Sequence, residues 1–366
     1  MAEVQLRQVT KSYDGHNLAV HSLDLRCPQG QMLALLGPSG CGKSSTLKMV
    51  AGIEPVTSGE ILFDGVDVTD LDSAGRNIAM VFEDYALYPH MSAFENIAFP
   101  LRVRRVPSAE VDRKVNEAID MLGLQSVIGV PVRTLSGGAQ QRVSIGRALV
   151  RDPALVMFDE PLSHLDADQK VMLRTEIRRL QTTAGLTSVL VTHDQTEAMA
   201  MADRIAVMSH GVLQQIGSPR ELYETPSNLF VAGFIGESPM NFFAASVDGG
   251  AIHLDDAPQV AVPLALPSHC AHVATLTLGI RPEDVRLHHV PGEAALTLPA
   301  RVTDRECCGD RDVLRLALGN RHFNVEVPSP TRVRVGDVVD CHLPAVRLHG
   351  FDAANGESLA LRSRTC

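Results

Sequence analysis

No apolar run in this chain reaches the roughly 18–20 residues that span a bilayer, so no transmembrane helix is expected. The opening stretch, MAEVQLRQVT, lacks the basic-then-apolar order of a signal peptide. A chain made and kept in the cytoplasm is expected, with any membrane role running through a partner. Positive charge is also short: 33 Lys and Arg against 43 Asp and Glu leave a net charge of −10. That balance argues against a nucleic-acid partner held by bulk positive field. The basic cluster Arg102, Arg104 and Arg105 reads as a solvated helix approach. Cysteine is sparse and unpatterned. Cys27, Cys41, Cys270, Cys307, Cys308, Cys341 and Cys366 form no C-x-x-C pair, which speaks against a zinc or thioredoxin-like site. An odd number in a cytosolic chain reads as reduced thiols. Internal repeats and low-complexity tracts are missing as well.

What is present is ample material for a core: 366 residues, 45% hydrophobic, enough for two or three domains. Up to about Gly236 apolar strands alternate with amphipathic helices, the pattern of a covered, mainly parallel sheet. GQMLALLG, ALVMFDE and TSVLVTH read as buried strands, with a helix over roughly Asp168 to Thr183 between the last two. In SAEVDRKVNEAIDMLGL, Val111, Val115, Ile119 and Leu122 share one helical face and Gly123 ends the helix. The tract 85–152 is mostly helical and reads as an inserted helical subdomain. Beyond Gly236 the period changes to two. Leu314, Leu316 and Leu318, then Phe323, Val325 and Val327, mark short strands of an all-β domain, plausible as a small barrel. The expected division is 1–235 and 236–366.

GPSGCGKS fits G-x-x-x-x-G-K-[ST] at Gly37, Gly42, Lys43 and Ser44, between a buried strand and a helix. Glycines let successive backbone N–H groups turn inward on a phosphate, and the helix N-terminus adds positive potential. In that pattern Lys43 meets β- and γ-phosphates and the Ser44 hydroxyl reaches Mg²⁺. Cys41, inside the loop, reads as a small filler. LVMFDE ends a buried strand in two acids: Asp159 suits Mg²⁺ through water, and Glu160 suits polarising the water that attacks the γ-phosphate. A second glycine-rich cradle, Ser136, Gly137 and Gly138 in RTLSGGAQQR, also precedes a helix. One chain thus carries two phosphate cradles.

Taken together these motifs resemble the ATPase subunit of an ABC transporter. The likeness is to the importer subfamily with a C-terminal regulatory barrel of OB/TOBE type, as in maltose-type carbohydrate importers. It runs from about Val4 to Ile235. LSGGAQQR resembles the family signature, SHLDA the loop after the catalytic acid with Asp166 matching, and VTHDQTEAM places His193 at the switch histidine. Tyr13 in KSYDG stands where an aromatic stacks on adenine. GESPMNFF and GIRPEDV resemble the entry and first barrel strands of carbohydrate-importer ATPases. The implied fold is an α/β P-loop ATPase domain with an inserted helical subdomain, followed by an all-β, OB-like barrel.

The resemblance implies ATP and Mg²⁺ as cofactors. It implies ATP binding by Tyr13, Gly37, Ser39, Gly40, Cys41, Gly42, Lys43, Ser44, Ser45 and Glu83, with Mg²⁺ at Ser44, Glu83 and Asp159 and catalysis by Glu160 and His193. It also resolves the two cradles. Two copies face head to tail, and Ser136, Gly137, Gly138 and Asp166 of each cap the ATP of the other. The implied partners are a second copy, two transmembrane permease subunits docking at Tyr85, Leu87, Tyr88 and Met91, and an extracytoplasmic solute-binding protein. A cytoplasmic regulator at the C-terminal domain is also implied. The location is the cytoplasmic face of the bacterial inner membrane. Carbohydrate or a glycerol-phosphate compound is the expected cargo class, with polyamine or inorganic-ion import as the rival. A soluble repair or translation ATPase is the rival from another class; one cassette and a β-rich tail weigh against it.

The chain departs from the family pattern at Glu83, where glutamine is usual, at Ala139 in the signature, and at His164, where asparagine is typical. These leave phosphate binding intact and bear on hydrolysis rate and coupling; an inactive regulatory ATPase is the third alternative, raised only by Glu83 and Ala139.

Overall fold

The computed structural model describes residues 1–163, 165–270 and 272–363. The chain divides into two compact units, Met1–Arg220 and the residues from Glu221 onward.

The first unit holds β1 (Val4–Ser12), β2 (Leu18–Cys27), β3 (Met32–Leu36), α1 (Lys43–Val50), β4 (Ser58–Phe63), β5 (Val66–Asp67) and β6 (Ile78–Val81). These are followed by α2 (Ala93–Val103), α3 (Ser108–Leu122), α4 (Gly137–Leu149), β7 (Leu155–Asp159), α5 (Ala167–Thr183), β8 (Ser188–Thr192), α6 (Gln195–Met201), β9 (Arg204–Ser209) and β10 (Val212–Gly217). The main sheet has six strands in the order β10-β9-β3-β8-β7-β6, parallel from β9 through β6. β3, β7 and β8 are buried on both faces apart from the terminal Asp159, as unbroken apolar runs require.

The α/β alternation expected up to about Gly236 does not extend to the N-terminus. β1, β2, β4 and β5 form a separate antiparallel sheet of four strands. Its inward residues Val4, Leu6, Val9 and Leu23 share a core with Leu47 and Val50 of α1 and with Leu33 and Leu35 of β3. The phosphate-loop helix therefore has apolar support from both sheets.

The helical insertion lies between β6 and β7. Ser92 and Glu95 close a capping box on α2. The α3 helix buries Val111, Val115, Ile119 and Leu122, and Gly123 ends it in the left-handed region at φ 62°. At Gly146 a Cβ would stand 2.9 Å from Leu122 Cδ1 and 3.0 Å from Ile97 Cδ1, so a larger residue there would make these side chains of α3 and α2 shift.

The second unit is β-rich. Strands Ala257–Val262, Ala251–Leu254, Asn241–Asp248, Thr275–Ile280, His349–Asp352 and Ser358–Leu359 form one antiparallel sheet. Arg321–Pro328, Arg311–Leu318, Ala295–Cys307 and Val338–Pro344 form another. Leu314, Leu316, Phe323 and Val325 bury together in the core both sheets share, the face that period-two alternation predicts. The segment before the strands belongs to this unit because Arg281 holds it. Its guanidinium donates to the carbonyls of Ile235 and Tyr223, each at 2.7 Å, and stacks 3.6 Å from the Tyr223 ring. Cys27, Cys41, Cys270, Cys307, Cys308 and Cys341 are free thiols. Cys366 and His164 lie outside the described residues.

Candidate functional site

Four neighbouring strands deliver the candidate residues to one edge. The order β3-β8-β7-β6 places Gly37–Ser45 after β3, His193 after β8, Asp159 and Glu160 at the end of β7, and Glu83 just past β6. The carboxyl end of a parallel sheet is where such folds bind ligands.

The loop after β3 needs its glycines for space as well as for conformation. A Cβ at Gly37 would lie 2.2 Å from the Met208 carbonyl oxygen, and one at Gly42 would lie 2.5 Å from that of Ala19, where φ is also 101°. Gly40 is left-handed too, at φ 78°. Cys41 is buried beneath the loop, the filler that the sequence suggested. Lys43, only 5% exposed, donates to the carbonyls of Gly37 at 2.7 Å and Pro38 at 3.0 Å. Among the described residues no carboxylate stands within ion-pair distance of it. A buried cation facing only neutral acceptors is costly unless an anion joins it, so the cradle fits a phosphate. Ser39 and Ser44 are exposed at its mouth. Tyr13, 58% exposed, donates from its hydroxyl to Ser45 Oγ at 3.1 Å and rests on the buried Lys11 ammonium, 4.7 Å from the ring centroid. One ring face is thus backed by a cation, and the side chain is fastened to α1.

Across the strand ends the charge is negative. Burial pushes the Asp159 carboxyl up, the neighbouring charges of Glu160 and Glu83 add to it, and Lys48 opposes them. Glu160 sits in the left-handed region at φ 46° and donates its N–H to the Val191 carbonyl at 2.9 Å. Its Oε2 lies 2.9 Å from His193 Nδ1. Parallel pairing of β7 with β8 brings these two residues together. Among the described residues no three His, Cys, Asp or Glu side chains converge on a metal point. Ser44 and Asp159 alone cannot cage an ion, which fits Mg²⁺, an ion that keeps waters and takes substrate phosphates.

The second cradle belongs to the insertion. Ser136 caps α4 and accepts from the Ala139 N–H at 3.4 Å; Ala139 itself is buried. A Cβ at Gly137 would stand 3.0 Å from Leu165 Cδ2, so this loop abuts the one leading to Asp166. Asp166 caps α5, accepting from the Gln169 N–H at 2.9 Å and from Gln169 Nε2 at 2.6 Å. A cleft of about 720 Å³ opens beside them, lined by Ser136, Gly138, Arg142, Gln169, Met172 and Glu176 among others. Its lining includes none of the phosphate-loop residues.

Comparison with known proteins supplies the family. The ABC transporter family model matches residues 20–163, and the TOBE domain model matches residues 278–351. The sn-glycerol-3-phosphate import ATP-binding protein UgpC of Chromohalobacter salexigens is 44% identical over 356 residues, covering 96% of this chain and 95% of that protein. The chain belongs to the ABC import ATP-binding proteins. The trehalose/maltose import ATP-binding protein MalK of Thermococcus litoralis is 42% identical over 376 residues, covering 98% of this chain and all of that one at 100%. In structure, cbiO1 of Clostridium perfringens, part of the transporter complex cbiONQ, matches with a TM-score of 0.57 at 26% identity, over 60% of this chain and 89% of that one. This ABC import ATP-binding protein is thus an ATP-hydrolysing subunit with a C-terminal TOBE domain, and works within a multi-subunit importer.

In this ABC protein the segment after Glu83 is pinned to the signature helix. The Tyr85 carbonyl accepts from Ser144 Oγ at 3.0 Å and Arg147 Nη2 at 2.9 Å, and Arg147 Nη1 reaches the Ala86 carbonyl at 2.6 Å. The Tyr85 hydroxyl reaches toward Gly137, 3.6 Å from where a Cβ would stand. Sequence reasoning did not single out Arg147 or Ser144. Both lie inside a helix whose period marks them only as neighbours of the core. A cleft of about 750 Å³ opens between β6 and the insertion, lined by Met80, Phe82, Tyr88, Phe99, Val103 and Arg147 among others. Of the four expected docking residues only Tyr88 lines it; Leu87 and Met91 are half-buried nearby. Phe82, Phe99 and Val103 line the same cleft.

Proposed function

We propose that two copies of this chain pair head to tail, hydrolyse ATP at two composite sites, and so drive import of a carbohydrate or glycerol-phosphate compound. The copies act beneath two transmembrane permease subunits, fed by an extracytoplasmic solute-binding protein. They sit on the cytoplasmic face of the bacterial inner membrane. No helix among the described residues is long and apolar enough to cross a membrane, which accords with a peripheral subunit. The cargo class follows the names of the relatives. The C-terminal domain is the docking place of a cytoplasmic regulator.

The observation that carries the hydrolytic reading is the Glu160–His193 contact of 2.9 Å at the strand ends beside the buried Lys43. Lys43 and the loop N–H groups hold the β- and γ-phosphates, with Ser39, Gly40, Cys41 and Ser45 shaping the cradle and Tyr13 stacking on the base. Ser44, Glu83 and Asp159 would hold Mg²⁺, which would supply charge neutralisation at the transferring phosphoryl group. Glu160 takes the proton of the attacking water, and His193 fixes the carboxylate's direction. With its Nδ1–H given to Glu160, the imidazole can donate from Nε2 to a phosphate oxygen only when doubly protonated. Ser136, Gly137, Gly138 and Asp166 cap the nucleotide of the partner copy. The permease docks at the cleft bearing Tyr88, with Tyr85, Leu87 and Met91 behind it.

Glu160→Gln tests this. The variant should bind ATP normally, lose roughly 10²–10⁴ in turnover, and elute from a sizing column with ATP as a dimer retaining nucleotide. Near-normal turnover, or a monomer under all conditions, overturns the reading.

A further inference from the structure

Lys170 stands one turn into α5, its N–H closing that turn on the Asp166 carbonyl at 2.9 Å. Its ammonium leaves the helix for the loop beside His193. Nζ lies 3.5 Å from Asp194 Oδ2 and 3.5 Å from Glu197 Oε1. Neither acid is an ordinary surface partner. Glu197 is 2% exposed, and its other oxygen accepts from Thr192 Oγ1 at 2.8 Å. Thr192 Oγ1 in turn accepts from the Asp194 N–H at 3.0 Å. Asp194 caps α6, taking the N–H groups of Thr196 at 2.8 Å and Glu197 at 3.3 Å. The residues on either side of His193, Thr192 and Asp194, are therefore fixed by one net, and Lys170 is its cation. Burial pushes the Glu197 carboxyl up, and the Thr192 hydroxyl and Lys170 work against that.

We infer that Lys170 is a positioning residue for hydrolysis: it ties the start of α5, and with it Asp166, to the loop that aims His193 at Glu160. This rests on the hydrolytic role proposed for that pair and goes beyond it. The Asp166 end of α5 is the part proposed to face the partner copy. A rigid helix turn followed by an ion pair at two carboxylates carries any shift of that end to the histidine. The proposed dimer contact and the hydrolytic pair are then mechanically one unit, so a copy without its partner holds His193 less well.

The test uses the full chain with Lys170→Met, Lys170→Gln, Lys170→Arg, His193→Ala and the double variant Lys170→Met/His193→Ala. Steady-state ATP turnover is measured beside thermal melting. Lys170→Met and Lys170→Gln should lower kcat about tenfold or more with KM for ATP changed less than about twofold, and Lys170→Arg should recover most of the rate. In the His193→Ala background Lys170→Met should cost less than about a further twofold, since both act on one element. A full additional tenfold loss there, or loss that tracks only the melting temperature across the Lys170 variants, overturns the inference while leaving Glu160–His193 standing. Wild-type turnover by His193→Ala would instead overturn the hydrolytic reading of the histidine, and the inference with it.

Discussion

Glu83→Gln isolates a charge at nearly constant shape. Val81 of β6 pairs with Phe158 of β7, so Glu83 and Asp159 leave adjacent strands within a residue of the same level. Glu83 is among the charges that push the Asp159 carboxyl up, as a separation on the order of 7 Å across neighbouring strands would. At an effective dielectric near 20 that separation is worth roughly 2.4 kcal/mol of repulsion. Glu83 is exposed, and solvent and salt cut the value to about 1 kcal/mol. In the proposed site the same charge would face the γ-phosphate, where hydrolysis depends on neutralising negative charge. Removing about 1 kcal/mol of repulsion corresponds to roughly fivefold in rate. The native chain should be a slow ATPase needing more Mg²⁺ for closure. Glu83→Gln should raise basal turnover about three- to tenfold and flatten its dependence on Mg²⁺. Steady-state rates of both forms across a Mg²⁺ titration measure this. Superimposable curves would refute the electrostatic reasoning.

Lys43→Ala removes the buried cation of the cradle and should weaken ATP affinity at least tenfold, read by equilibrium nucleotide binding; unchanged affinity counts against the phosphate-loop assignment. In a mixed dimer of one Ser136→Arg chain and one Lys43→Ala chain, composite sites put both defects on one nucleotide and leave the other site whole. One occluded ATP per dimer is expected, and none would mean that each chain works alone. In the C-terminal domain, burial pushes the His349 imidazole down from 6.5 to about 4, with Arg281 and Arg347 adding to it. Between these values the unfolded chain binds a proton that the folded chain does not, so stability is full above pH 6.5 and falls as pH drops toward 4. Allowing for partial solvent access, the loss is about 2 kcal/mol. His349→Phe should lose correspondingly less between pH 7 and pH 4.5 in urea unfolding of the full chain; an identical loss in both proteins would show that His349 is not the group responsible.

The phosphate loop could be read directly because its information is local. Glycines at Gly37 and Gly42, then Lys43 and Ser44, fall between a buried strand and a helix, and close backbone approach forbids most other residues there. The α3 helix was legible for the same reason: four apolar positions on one face and a left-handed glycine at its end lie within one short stretch. Alternation along Leu314–Leu318 equally declared a strand with one buried face. The N-terminal antiparallel sheet was not legible. Irregular register between β1 and β2 breaks the alternation, and pairing of β1 with β4 joins residues far apart in the chain. Strand order was hidden too. That β8 lies between β3 and β7, and so sets His193 against Glu160, depends on how whole apolar strands and their crossovers bury one another. Tyr85 bent back to the signature helix and Lys170 reaching over to α6 are decided in the same way. Each needs a partner that no nearby residue specifies, and only packing of the complete ATPase unit supplies it.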